Sequence, residues 1–254
     1  MSRAATIVTG GGSGIGRACA LRQTAAGERV LVWDRDGDAA TAVAAEIEAG
    51  GGSAAALPID VADTAAVRAA VAAVGAAEGL AGLVHAAGVM RTAPFERVGE
   101  EEYQRLMDVN LKSAFFLVQA AAGAMRAAGG GAVVLFASIS GRKGRPLAAP
   151  YAASKAAVIS LTQSAALAYG PSVRVNAVSP GVIETPMKEQ IARERHELLG
   201  TELDDPYPGL AETLALKRLG RPEEVASVVG FLLGPDAAYV SGQTINVDGG
   251  LEFD

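Results

Sequence analysis

A three-layer α/β fold, with a doubly wound parallel sheet of about seven strands, is what this sequence predicts. Three observations lead there. Short β-branched runs alternate with longer alanine-rich runs along the chain. The strand-like runs are apolar without alternation, as strands covered on both faces should be. The first of them ends in a glycine-rich turn that opens a helical pattern, at the carboxyl end where open parallel sheets hold ligands.

In order, the expected strands are Ala5–Thr9, Arg29–Asp34, 54–59, Leu80–His85, 132–138, 173–178 and Thr244–Val247. Helical patterns fill 15–26, 39–49, 109–125 and 151–169. Pro222-Glu223-Glu224 opens the last helix, with proline at its first turn and acids facing the positive dipole end. No linker or repeat interrupts the pattern, so residues 1–254 read as one domain. The polar stretch 183–217 carries His196, Pro206 and Pro208 and reads as a lid over a site or as surface decoration. His196 itself reads as solvated.

Half of the 254 residues are hydrophobic and a fifth are charged, so a sizeable core is expected. The net charge of -6 argues against nucleic acid or an anionic membrane as the main partner. Cys19 is the only cysteine, which excludes an internal disulfide and fits a reducing cytoplasm. Met1-Ser2-Arg3 runs directly into the first strand and does not read as a signal peptide. Residues 69–90 are nearly all apolar, but Gly75, Gly79, Gly82 and Gly88 break them into helix end, turn and buried strand rather than a membrane span. No metal site is expected.

The turn after the first strand is Thr9-Gly10-Gly11-Gly12-Ser13-Gly14-Ile15-Gly16. Glycines let backbone approach a pyrophosphate, and the helix behind offers free N–H groups and a positive dipole end. Asp34 closes the next strand. A carboxylate there accepts both hydroxyls of an adenosine ribose and repels a 2′-phosphate, which favours NAD over NADP. Arg35 follows it and softens that preference.

Tyr151 and Lys155 stand four residues apart, on one face of a helix. A phenol ionises near pH ~10. An ammonium within about 4 Å favours the phenolate by several kcal/mol at an effective dielectric of about 20, before desolvation. The pair therefore reads as a tyrosine base working near neutral pH. Ser138 ends the fifth strand on the ligand side of the sheet, where its hydroxyl can donate to a substrate oxygen. Ser140 reads as a residue of the pocket edge. Gly141-Arg142-Lys143-Gly144-Arg145 lies at the expected pocket mouth, where its cations would attract an anionic substrate or simply be solvated.

The glycine turn, the acid ending the second strand and the Tyr151/Lys155 pair together resemble the short-chain dehydrogenase/reductase family in its compact single-domain form, from Thr9 to Gly250. The resemblance implies a Rossmann-like sheet and several further roles. Asp60 and Val61 would flank adenine, and Ala87-Gly88 would pass along the cofactor. Lys155 would hold the nicotinamide ribose. Beyond the Pro180-Gly181 turn, Ile183 and Thr185 would face the carboxamide. Asn110 would bend its helix and hold a water in the proton path. Asp248-Gly249-Gly250 closes the chain in the family's manner. His85-Ala86 stands where the family usually has Asn-Asn, and His85 reads as a structural variant. Helices 109–125 and 151–169, nearly free of charge and so expected to be buried all round, resemble the contact through which members form dimers and tetramers, which implies a homo-oligomer, with a tetramer expected.

The resemblance implies an NAD(H)-dependent oxidoreductase that interconverts a secondary alcohol and a ketone. Tyr151 is the acid/base, and Ser138, Ser140 and Tyr151 contact substrate. Two alternatives stand beside it: an NADPH-dependent 3-oxoacyl reductase, and a dinucleotide-binding regulatory protein without turnover.

Overall fold

The computed structural model describes residues 4–253. Met1, Ser2 and Arg3 lie outside the described residues. The chain runs β1 (Ala5–Thr9), α1 (Gly14–Ala25), β2 (Arg29–Asp34), α2 (Gly37–Ala49), β3 (Ser53–Pro58), α3 (Thr64–Ala77) and β4 (Leu80–His85). It continues through α4 (Glu100–Met107), α5 (Ser113–Ala127), β5 (Gly131–Phe136), α6 (Ala149–Tyr169) and β6 (Val173–Pro180). It closes with α7 (Pro186–Leu199), α8 (Leu210–Thr213), α9 (Pro222–Leu233) and β7 (Thr244–Val247).

Seven parallel strands form one sheet in the order β3-β2-β1-β4-β5-β6-β7. The order reverses between β1 and β4, which opens a crevice at their carboxyl ends. Register keeps those ends level: Thr9 lies beside Trp33 on one side and His85 on the other.

Successive strand residues point to opposite faces, and both faces are covered. Ile7, Leu31, Leu83 and Val133 pack with α3, α5 and α6. Val8, Val32, Val84 and Val134 pack with α1, α2 and α9. Fully burying one such side chain stabilises the fold by roughly 1.5–3 kcal/mol, so a charge placed at Leu83, which has no exposed surface, would break the layer.

Helix starts follow from capping. Asp36 accepts from Ala39 N at 3.0 Å, and α2 therefore begins at Gly37, two residues before the expected start. Asp63 accepts from Ala65 and Ala66 and starts α3. Glu224 accepts from Arg221 N at 2.8 Å at the head of α9. The expected strand 132–138 stops at Phe136. Beyond it Ser138 accepts from Ser140 N at 3.1 Å and turns the chain into one 3-10 turn. The expected helix 109–125 is likewise not regular: a π turn over Asp108–Lys112 joins α4 to α5. Nor are these helices buried all round within one chain, because only one side of each meets the sheet. Leu167 on α6 is 87 % exposed and Phe115 on α5 is 48 % exposed.

No helix among the described residues is long and apolar enough to cross a membrane.

Candidate active site

The glycine turn sits against the end of β4. Gly10 has φ +67°, and a Cβ there would lie 2.8 Å from Ala87 Cα. A Cβ on Gly16 would lie 2.0 Å from the Gly10 carbonyl oxygen. Only glycine permits both approaches. Ser13 precedes α1 without capping it, and the first turn carries no acid. The N–H groups of that helix end therefore remain open to an anion.

Asp34 is tied to this turn. Gly12 N donates to its Oδ2 at 2.9 Å, and Asp36 N donates to Oδ1 at 3.0 Å. From the far side, the Thr185 methyl lies 3.4 Å from where a Gly14 Cβ would stand. Thr185 accepts weakly from Lys188 N at 3.4 Å, which starts α7 over the turn.

The result is a cleft of about 250 Å³ lined by Gly10, Ser13–Gly16, Asp34, Arg35, Asp60, Val61, Ala87, Gly88 and Thr185. A second chamber of about 160 Å³ shares Ile15, Gly88 and Thr185 with it. That chamber is lined by Ser138, Ser140, Tyr151, Lys155, Pro180, Gly181 and Ile183. Every residue expected to contact a dinucleotide thus lines one of two joined spaces. An open helix N-terminus, a glycine cradle that a Cβ would fill and a carboxylate at the adenosine end fit a nicotinamide dinucleotide.

Tyr151, Ser138 and Lys155 meet in the second chamber. The Ser138 hydroxyl lies close enough to Tyr151 to act on its phenol. With Ser140 N donating to its Oγ, Ser138 is free to give its proton to the phenol oxygen. Burial pushes the Tyr151 phenol above its ordinary value of 10.0, the Ser138 bond pulls it back, and the neighbouring Tyr207 raises it. Lys155 Nζ donates to Phe136 O at 2.6 Å and stands 5.6 Å from the Tyr151 ring centre. Burial lowers its ammonium from 10.5 to about 8.

These facts correct one expectation. Within the polypeptide desolvation is the largest influence on Tyr151 and leaves its phenol raised rather than lowered, in spite of the ammonium nearby. The ammonium is aimed at a backbone carbonyl rather than at the phenol oxygen.

Asn110 lines neither space. It is 1 % exposed, accepts from Val89 N at 2.8 Å, and donates to Val89 O at 2.9 Å and Ser154 Oγ at 3.2 Å. Both protons of its amide are therefore engaged, leaving only a lone pair of Oδ1 for any water. Asn110 Oδ1 and Lys155 Nζ both face Gly88, where a Cβ would meet them at 3.4 and 3.6 Å.

His85 is structural, as expected. Its Nδ1 lies 2.7 Å from Thr9 Oγ1 and its Nε2 2.9 Å from Ser113 Oγ. Ser113 donates to Val109 O at 2.5 Å, so it must accept from Nε2–H. That leaves Nδ1 as acceptor for Thr9, a chain from β1 through β4 to the π turn beside Asn110. Burial, and secondarily the Lys155 charge, lower His85 from 6.5 to about 3.

The loop cations are occupied. Arg142 donates to Thr244 O at 2.9 Å, while Lys143 and Arg145 both pair with the buried Glu252. His196 lies outside these spaces, bonded to Thr201 O at 2.7 Å near the end of α7. Sequence reasoning missed Tyr207, Met90 and Lys188, which line the second chamber. Of these, only Tyr207 carried a hint: an aromatic residue between Pro206 and Pro208. Among the described residues no group of three or more His, Cys, Asp or Glu side chains could hold a metal ion.

A family model described as enoyl-(acyl carrier protein) reductase matches residues 10–252. The short-chain reductase protein NovJ of Streptomyces niveus is 38% identical over 96% of this chain and 92% of its own. Galactitol 2-dehydrogenase of Agrobacterium fabrum is 37% identical over 96% of this chain and 95% of its own. A variant of actinorhodin polyketide ketoreductase, solved with NADPH, superposes with a TM-score of 0.92 at 31% identity. That match covers 98% of this chain and 97% of the other.

Proposed function

Because this chain belongs to the short-chain dehydrogenase/reductase family of oxidoreductases, we propose that it interconverts a secondary alcohol and its ketone with NAD(H). The observation that carries the reading is the joined pair of buried hydroxyls, Ser138 and Tyr151 with Lys155 behind them, opening off the cleft of the glycine turn.

In this reading Asp34 receives the adenosine ribose with Arg35 at its edge, and Asp60 and Val61 flank adenine. The open end of α1 receives the pyrophosphate. Lys155 holds the nicotinamide ribose, and Ile183 and Thr185 face the carboxamide. The dinucleotide, when bound, supplies or accepts the hydride.

Proton chemistry belongs to the chain. In reduction, Tyr151 gives its phenolic proton to the substrate oxygen while Ser138 donates a second hydrogen bond as charge develops there. In oxidation, Tyr151 takes the hydroxyl proton. Burial keeps the phenol protonated at neutral pH, so in the protein without its dinucleotide Tyr151 rests in the acid form that reduction uses. Asn110 acts by fixing the Val89 backbone beside Lys155, and relays a proton only through the lone pair it has left.

The segment 183–217 serves as a lid hinged at the bridge between Ile183 and Gly220. The exposed sides of α5 and α6, with Phe115 and Leu167, are covered by other copies in a homotetramer, which light scattering tests. The whole chain is one working domain, and a cytoplasmic setting suits its lone buried thiol, Cys19.

NAD rests on Asp34, which keeps a carboxylate in the cleft where a 2′-phosphate would go. NADPH has support of its own in the polyketide ketoreductase solved with it, and 3-oxoacyl chemistry in a relative 36% identical over 96% of this chain that is named a 3-oxoacyl-[acyl-carrier-protein] reductase. A panel of secondary alcohols and ketones, followed by absorbance with NADH and with NADPH, tests both. Turnover with NADH at a higher kcat/KM supports the proposal. Preference for NADPH removes the cofactor claim, and no turnover with either removes the function.

A further inference from the structure

Beyond the chamber that holds Tyr151 lies a third cavity of about 270 Å³. It shares Met90, Ile139, Ser140, Val182 and Tyr207 with that chamber. A substrate whose reacting carbon sits at Ser138 and Tyr151 therefore has somewhere to extend. Pro146, Leu147, Ala148, Leu210 and Leu251 make most of the far wall apolar. The charged side chains on that wall are Arg145 and Arg195, and no carboxylate lines it.

Both guanidiniums are half-buried, with 33 % of the Arg145 side chain exposed, so water meets part of each, and their protein partners decide what is left for a ligand. Each is only partly compensated. Arg145 Nη2 lies 3.2 Å from Glu252, but Glu252 is shared with Lys143, so two cations hold one carboxylate. Arg195 donates Nε to Pro206 O at 2.6 Å, and its guanidinium lies 4.6 Å from the Tyr207 ring centre. No carboxylate pairs with it among the described residues. Glu194, the acid next to it, accepts from Thr92 N at 2.7 Å and Gln190 Nε2 at 2.9 Å, with Arg91 at 3.7 Å; its charge also acts on Tyr207, but less than either arginine does. Thr92 lines the same cavity and is 7 % exposed, yet its buried Oγ1 has no partner among the described residues. The cavity thus gathers a surplus of positive charge and a spare hydroxyl in a molecule whose net charge is -6.

We propose that this cavity is the distal subsite of the substrate and that it takes a carboxylate, read by Arg145 and Arg195. The substrate class is an oxo acid, or its hydroxy acid, whose anionic end is separated from the reacting carbon by an apolar body. Met90, Ile139 and Val182 contact that body. The inference rests on the proposed placement of the reacting carbonyl at Ser138 and Tyr151. Among the cations of the 141–145 loop only Arg145 faces this cavity. Its partner in recognition comes from α7, the helix lying over the site.

The test compares straight-chain oxo acids of increasing length, each paired with its primary amide, in wild type, Arg195→Gln, Arg195→Lys and Arg145→Gln. The wild type should prefer the best acid over its amide by about 10- to 100-fold in kcat/KM, the range that a charge-assisted hydrogen bond contributes. That ratio should fall toward one in Arg195→Gln and Arg145→Gln, mostly through KM. It should be kept in part by Arg195→Lys, which keeps charge but not the planar fork. A wild-type ratio near one at every length, or a ratio unchanged in both glutamine variants, overturns the inference. Melting temperatures taken with each acid and amide decide it separately from catalysis. If no ketone is turned over, the proposed reaction fails. The subsite then stands if the acid alone raises the melting temperature of wild type and not of the glutamine variants, and falls if acid and amide act alike. Should Arg195→Gln fail to fold, Arg145→Gln carries the same comparison.

Discussion

Replacing His85 with asparagine probes how a buried histidine holds this sheet together. The imidazole bridges Thr9 on β1 and Ser113 at the head of α5, and the folded protein lowers it from 6.5 to about 3. Between those two values the unfolded chain binds a proton that the folded chain refuses. Stability from this group is therefore complete above about pH 6.5 and is lost progressively as pH falls toward about 3. The slope approaches about 1.4 kcal/mol per pH unit, so moving from about pH 6.5 to about pH 4.5 costs on the order of 2–3 kcal/mol. His85→Asn removes the titration along with two hydrogen bonds, and near pH 7 it should be less stable by ~1–3 kcal/mol. Near pH 4.5 the gap to wild type should shrink by about the titration term, to near zero or below. Urea unfolding at one fixed protein concentration, followed by the fluorescence of the single tryptophan, Trp33, reads both numbers. A gap that stays constant between the two pH values would refute the neutral, doubly bonded imidazole.

Three further outcomes are expected. Asp34→Asn keeps an acceptor for Gly12 N and removes the charge, so the ratio of NADPH to NADH efficiency should rise at least about tenfold with little change in melting temperature; an unchanged ratio removes Asp34 from cofactor selection. Ser138→Ala deletes the hydrogen bond that pulls the Tyr151 phenol down, so turnover should drop by about 10²-fold and the acid limb of alcohol oxidation should move to higher pH. A profile in its old place, with activity kept, contradicts that role. Gly16→Ala forces a methyl onto the Gly10 carbonyl oxygen, which would stand 2.0 Å away. Overpacking of this kind costs typically ~1–3 kcal/mol, and nucleotide binding by fluorescence titration should be weakened along with it.

Much of the architecture could be read from the chain itself. The bounds of β1, β2, β4 and β7 agree with the sequence reading residue for residue, because each is a short apolar run closed by turn chemistry. The sequence pattern starts β5 one residue late and carries it two residues too far, since Ala137 and Ser138 continue its apolar, small-residue pattern. The turn shows in the bonds from Ser140 N to Ser138 Oγ and from Gly141 N to Ser138 O. Glycine turn, Asp34, Ser138, Tyr151 and Lys155 were all found by position along strands and helices, and they do converge on joined spaces. What local pattern could not carry was environment. The spacing of Tyr151 and Lys155 spoke of attraction, but the degree of burial, a property of the packed core, sets the direction in which each group shifts. The same holds for Lys143 and Arg145, whose partner Glu252 is more than a hundred residues away. Arg195 and Tyr207 come together over the site only because Thr185 and Pro186 start α7 and the chain then folds back.

The most direct test of the account is Tyr151→Phe, assayed side by side for ketone-dependent oxidation of NADH and for NADH binding by fluorescence. Proton transfer by Tyr151 predicts that turnover falls by at least about 10²-fold while the dinucleotide still binds within a few-fold of wild type. Turnover left intact in that variant would contradict the account at its centre.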